Sequence, residues 1–292
     1  MFTRRHFLAT TALAALPVSR AAEPAFTLGF SLYGMKTVPL DDALRTCAEI
    51  GYKHVELALN PGFPTEPKLL DAAARKALRE RLATLKLGVS ALMVNMSLAV
   101  KDEAHASNLA ALKDAAQLAH DLALPDPLIE TVLGGKPAEW DAIKDSMLAR
   151  LRDWAEAAAA AKITLAIKAH VGSAVNSPER LLWLLDQAAS PALCAAYDFS
   201  HFEVQGLALA PTLDALLPRT KFIHVKDTQG DVSKFQFLLP GEGRTDYAAY
   251  FRELNTRGYR GPVVVEVSAQ VFNKPGYDPI AAAKKCYAAL AK

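Results

Sequence analysis

Four short runs near the C-terminal half of the chain each end an apolar stretch with ionisable residues. They read Leu165-Ala166-Ile167-Lys168-Ala169-His170, Ala196-Tyr197-Asp198-Phe199-Ser200-His201, Phe222-Ile223-His224-Val225-Lys226-Asp227 and Val263-Val264-Val265-Glu266-Val267-Ser268. Along an extended strand side chains alternate, so Lys168 and His170 share a direction, as do His224 and Lys226. Asp198, His224 and Glu266 together are a ligand set suited to a divalent cation such as Mn²⁺, Zn²⁺, Mg²⁺ or Co²⁺. A lone histidine at a strand end is most simply a capping or salt-bridging residue. Three such groups on successive strands converge only if the strands converge.

The elements that would bring them together follow from the rest of the pattern. Eight strand-like runs are predicted: Phe26–Tyr33, His54–Leu59, Leu87–Asn95, Leu128–Leu133, Ile163–His170, Leu193–Asp198, Lys221–Lys226 and Pro262–Ser268. Helical segments start near Leu40, Lys68, Glu103, Ala138, Pro178, Pro211, Asp246 and Asp278. Ser177 before Pro178 and Asp246 before Tyr247 are N-cap residues in the expected places. Gly51 and Gly258 fall just past helices, as C′ glycines do. Strands alternating with helices require parallel pairing with right-handed crossovers. Eight repeats point to one closed (β/α)8 barrel, an α/β TIM barrel of a single domain. The longest loops, Asn60–Pro67 and Thr228–Arg244, both follow strands and so belong to the C-terminal face, where such barrels do their chemistry.

Composition agrees. The chain has 292 residues, 51% apolar and 22% charged, which excludes disorder. Its formal charge is +2, no basic footprint for nucleic acid. Cys47, Cys194 and Cys286 are too few for a disulfide framework and read as core or helix residues.

Residues 1–21 read as an export signal: Arg4-Arg5 precede the apolar stretch Phe7–Val18, and Ser19-Arg20-Ala21 offers small residues for cleavage before Ala22. The stretch is short of the roughly 20 residues that span a bilayer. Arg-Arg followed by Phe-Leu resembles a twin-arginine signal, which implies the twin-arginine export machinery as a partner and a periplasmic location. Removing Arg4, Arg5 and Arg20 from the 33 bases leaves 30 against 31 acids, a net charge of −1 for residues 22–292. No later stretch would anchor the protein in a membrane.

The motifs Asn176-Ser177-Pro178-Glu179, Tyr197-Asp198-Phe199-Ser200-His201, Ile223-His224-Val225-Lys226-Asp227, Pro240-Gly241-Glu242-Gly243 and Val265-Glu266 resemble the xylose isomerase-like TIM-barrel superfamily, in particular its sugar phosphate isomerase/epimerase branch. The resemblance implies proton transfer next to the carbonyl of a small sugar or hydroxy-keto compound, an isomerase or epimerase with lyases among its neighbours. It implies a metal held by Glu, Asp, His and Glu, of which Asp198, His224 and Glu266 match the last three. Glu266 would be the base; His170, His201, Lys226 and Glu56, which ends the second strand, would meet substrate. A small carbohydrate-like ligand is the expected partner, nucleic acid is not, and a homo-oligomer is compatible with the pattern.

Position 168 departs from the pattern. The resemblance places a metal-binding glutamate there, and this chain has Lys168. Two unit charges 4 Å apart at an effective dielectric of about 20 interact by roughly 4 kcal/mol, so a charged Lys168 opposes a bound dication. Three readings follow: a metal on Asp198, His224 and Glu266, with Lys168 neutral and basic or turned away; an ammonium in the metal's place, giving a metal-free enzyme or non-catalytic carbohydrate-binding barrel; or an inert pocket. The first two make Lys168 the second functional group beside Glu266.

Overall fold

The computed structural model describes residues 26–291; the export signal expected at residues 1–21 lies outside them. Among the described residues eight parallel strands close into a barrel: β1 (Thr27–Ser31), β2 (His54–Ala58), β3 (Gly88–Met93), β4 (Leu128–Thr131), β5 (Thr164–Lys168), β6 (Leu193–Asp198), β7 (Thr220–Val225) and β10 (Pro262–Val265). Closure comes from β1 pairing with β10, Thr27 opposite Pro262 and Phe30 opposite Val265. The predicted barrel is therefore present, with strand ends trimmed by one to three residues at several places. Asp227–Asp231 (β8) and Lys234–Leu238 (β9) form an antiparallel hairpin. That segment reads as loop in the sequence.

The outer layer contains α1 (Leu40–Ile50), α2 (Ala72–Leu85), α3 (Asp102–Asp121), α4 (Trp140–Ala160), α5 (Pro178–Ala188), α7 (Leu209–Leu216), α8 (Tyr247–Thr256) and α10 (Pro279–Leu290). Two single turns, α6 (Ser200–Glu203) and α9 (Ala269–Phe272), follow β6 and β10. The caps are chemical. Asp246 Oδ1 accepts from Ala249 N at 2.9 Å, and Asp278 Oδ1 from Ile280 N and Ala281 N at 2.9 and 3.0 Å. Gly51 ends α1 at φ 114°, and a Cβ there would meet the Tyr287 hydroxyl at 2.7 Å, so both conformation and space demand glycine. Among the described residues no helix is long and apolar enough to cross a membrane.

The inside of the barrel is layered. Ala91, Leu128, Ala166, Cys194, Ala196, Phe222 and Val264 form a buried apolar cluster. Two residues further along the same strands, with the side chains facing the same way, come Glu130 after Leu128, Lys168 after Ala166, Asp198 after Ala196, His224 after Phe222 and Glu266 after Val264. A dry apolar floor thus carries an ionisable layer at the C-terminal ends of the strands. All three cysteines are free and buried.

Candidate functional site

Register fixes the ring of charges. Asp198 lies opposite His224 across β6 and β7, and Lys168 opposite Ala196 across β5 and β6. Glu266 follows β10, and its N–H still donates to Val225 O at 3.1 Å. Lys168 Nζ lies 3.0 Å from His224 Nδ1, 3.2 Å from Glu266 Oε2 and 3.1 Å from Glu130 Oε1. The Glu130 contact is an ion pair without hydrogen-bond alignment, since that oxygen has no hydrogen-bond partner. Lys226 Nζ donates to Asp198 Oδ2 and, at 2.5 Å, to Glu266 Oε2. Two ammonium groups therefore meet on one carboxylate oxygen.

The remaining groups orient this core. His224 Nε2 lies 3.0 Å from Glu56 Oε2. Asp198 Oδ1 accepts from Ser200 N at 3.2 Å and Ser200 Oγ at 2.6 Å. His201 Nε2 is 3.4 Å from Asp198 Oδ2. The ring of His201 lies 4.2 Å from that of His170, centre to centre, and Gly172 N donates to His170 Nδ1 at 3.1 Å. Phe237 of the hairpin covers Lys226 at 5.0 Å and meets His201 edge-on at 5.0 Å. On the other side the Tyr33 ring stacks on Phe63 at 5.3 Å. Its half-buried phenol is raised in pKa, first by burial and then by Glu266.

Burial and charge pull against each other here. Burial would lower the pKa of Lys168, but Glu130, Glu266, Asp198 and Glu56 outweigh it and raise it. Burial would raise Glu266 and Asp198, yet Lys168 and Lys226 hold Glu266, and Lys226 and His201 hold Asp198, well below the usual carboxylate range. Glu130 goes the other way: burial raises it despite Lys168. Burial depresses His170 to about 2 and His201 to about 4. At His224 burial lowers the pKa, Glu56 raises it, and the balance lies above the ordinary value. The Lys168 ammonium at 3.0 Å from Nδ1 requires a lone pair on that nitrogen. Geometry decides for the neutral ring: Nδ1 accepts from Lys168, and Nε2–H donates to Glu56.

The structure brings Lys168, Asp198, His224, Glu266, Lys226 and Glu56 into one cluster, with His201 touching it through Asp198 and His170 one ring further out. Sequence reading missed Glu130. The available signal was the two-residue step from Leu128, the same step that leads from Ala166 to Lys168. It also missed Tyr33. A cavity of about 910 Å³ opens at the opposite end of the barrel, beside Thr164, Thr220 and Pro262 at the starts of β5, β7 and β10. It holds none of these groups.

Asp198, His224 and Glu266 each offer a ligand atom within 4.8 Å of the others, and so do Glu56, Glu130 and His224. By composition and spacing either set could hold a metal ion. With both lysines in place, however, the first set is engaged: Asp198 Oδ2 and Glu266 Oε2 by Lys226 and His224 Nδ1 by Lys168; in the second, His224 Nε2 meets Glu56 Oε2, while Glu56 Oε1 and Glu130 Oε1 have no hydrogen-bond partner. At Asp198, His224 and Glu266 a dication does not fit beside two ammonium groups that touch its own ligands.

The chain is 25% identical over 264 residues to an L-ribulose-5-phosphate 3-epimerase of Salmonella typhi, covering 86% of this chain and 90% of that protein. It is 27% identical over 143 residues to an inosose dehydratase of Geobacillus thermodenitrificans, a match covering 44% of this chain and about half (47%) of that relative. In fold it resembles an IolI protein solved with a bound zinc atom, at TM-score 0.76 and 18% identity over 91% of this chain and 98% of that one. Residues 44–288 match the family described as xylose isomerase-like TIM barrel, and the chain belongs to that family.

Proposed function

We propose that the barrel mouth is a metal-free binding site for a small sugar or hydroxy-keto compound, with ammonium groups supplying the positive charge. One observation carries this reading: Lys168 Nζ lies 3.0 Å from His224 Nδ1 and 3.2 Å from Glu266 Oε2, inside the candidate ligand set. Fixed N–H donors, a carboxylate acceptor and the Tyr33–Phe63 ring faces suit the hydroxyls and C–H faces of such a ligand. His170, His201, Lys226 and Glu56 are the side chains assigned to its recognition. Similarity to sugar epimerases supports the ligand class. The test is calorimetry with Mn²⁺, Zn²⁺, Co²⁺ and Mg²⁺, together with metal analysis of the purified protein. Substoichiometric metal and no saturable heat are expected; one ion per chain held by the wild type would sink the reading.

A second reading is favoured by Glu266, which is ionised beside two ammonium groups able to polarise a carbonyl. Glu266 would take a proton from the adjacent carbon, with Lys168 stabilising the oxyanion. A carboxylate held so far below its usual range is a weak base, so turnover would be slow. Deuterium from solvent should enter an accepted ketose, and Glu266→Gln should abolish the exchange; no exchange with any ketose that binds would leave binding alone. A raised pKa keeps Lys168 protonated, which argues against a Schiff base through it.

Export belongs to the same proposal: residues 1–21 direct residues 22–292 to the periplasm by the twin-arginine route, where free sugars are more available than sugar phosphates. Replacing Arg4 and Arg5 with lysine should retain the protein in the cytoplasm on fractionation. Unchanged periplasmic yield would refute the route.

A further inference from the structure

We infer that Lys168 and Lys226 act as a single two-charge unit that replaces a divalent cation, each lysine holding a different part of the position. This deepens the metal-free reading and rests on it. Lys168 takes the His224 side, at Nδ1, and reaches Glu266 Oε2. Lys226 takes the Asp198 side, at Oδ2, and reaches the same Glu266 oxygen. The two ammonium groups carry the formal charge of one dication and share its central ligand.

Lys226 is not a loose side chain that would step aside. It is 4% exposed, and the Phe237 ring of the hairpin covers its ammonium at 5.0 Å. Phe237 is itself packed with Val171 and Val204. Its backbone N–H donates to Gln270 Oε1 at 2.9 Å. The hairpin thus holds the second charge in place from outside the barrel.

The consequence differs from what position 168 alone implies. Restoring a carboxylate there removes one ammonium and supplies a fourth ligand. Lys226 still occupies Asp198 and Glu266. Opening the position requires both changes.

The experiment is calorimetric titration of MnCl₂ and ZnCl₂ into the full chain in four forms: wild type, Lys168→Glu, Lys226→Gln and the double variant. Far-UV circular dichroism and a thermal melt establish folding, and Lys226→Met replaces Lys226→Gln if the latter does not fold. The double variant should bind one ion at least about tenfold more tightly than Lys168→Glu, with no saturable binding to Lys226→Gln, the non-additivity expected of groups sharing one site. Lys168→Glu binding as tightly as the double variant would overturn the two-charge unit and leave the metal-free reading intact. A folded double variant that binds nothing would overturn it as well. Stoichiometric binding by the wild type would instead refute the metal-free reading itself.

Discussion

Lys168 is 3% exposed and surrounded by groups that keep it charged. Truncating one partner of such a buried network leaves uncompensated charge, typically at a cost of about 3–5 kcal/mol, so the network is sensitive to single changes. His170 gives a separate handle, at the edge of the cluster. Gly172 N–H donates to its Nδ1, which requires that nitrogen to be unprotonated. Burial moves its pKa from 6.5 to about 2. Between those values the unfolded chain binds a proton that the native ring refuses, so stability falls as pH falls through this window. His170→Asn, whose Oδ1 stands where Nδ1 does and can take the same N–H, should flatten the decline of the urea midpoint between pH 7 and pH 5. An equally steep decline in the variant would show that His170 is protonated in the folded protein. At this scale the sequence is informative about which groups meet. Lys168, Asp198, His224 and Glu266 stand out because each interrupts an apolar run at a strand end. Glu130 is less visible, since Leu128–Leu133 continues apolar beyond it. Lys168 reaches Glu266 from β5 to the end of β10, strands that β6 and β7 separate, and no local pattern encodes that.

Asp227 ties the hairpin to the turn behind it through three backbone amides, beside Glu203, whose Oε2 accepts from the Thr228 hydroxyl and, at 2.8 Å, from that of Thr245. Asp227 Oδ1 accepts from Thr228 N at 2.9 Å and Thr245 N at 3.0 Å, and Oδ2 accepts from Gly241 N at 3.0 Å. Gly243 packs so closely that a Cβ would meet Thr228 O at 2.3 Å and Asp227 Oδ1 at 2.4 Å. Asp227→Ala leaves three N–H groups without their acceptor, at about 1–3 kcal/mol for each that stays buried. It should lower the midpoint of chemical denaturation and speed hydrogen exchange at Gly241 and Thr245 in particular. Exchange unchanged at those two amides would mean that the turn is held by something else. The segment Thr228–Arg244 reads as loop because Gln229, Gly230, Asp231 and Ser233 carry turn chemistry, and only Phe235 and Phe237 alternate as a strand would. Its pairing depends on Gln270, Val171 and Val204, which lie far away in the chain. The helix ends are local by contrast: Ser177, Asp246 and Asp278 stand at their N-caps, and Gly51 at the C-cap.

The whole barrel was legible from eight repeats because parallel pairing needs a crossover each time, and Ala- and Leu-rich helices supply it. The closing pair, β1 with β10, joins the first described strand to the last. A chain ending before β10 removes that pairing and Glu266 together. Such a truncated chain should give a broad, uncooperative urea transition by circular dichroism, with none of the native near-ultraviolet signal. A sharp transition with native-like near-ultraviolet bands would show that the partial barrel is stable by itself.

The ionisable layer above the apolar floor has a kinetic consequence. His224 meets Glu56 across 168 residues of chain, and Lys168 meets Glu266 across 98. Contacts between such distant partners form late, after the loops joining them have lost their freedom. Until the circle of strands is complete, Glu56 and Glu266 lack these partners, and an early, collapsed intermediate cannot bury their carboxylates without loss. The apolar floor can therefore assemble ahead of the mouth. Refolding is expected to end with dehydration of the charged ring, so that the last region to become native is the one that meets the ligand.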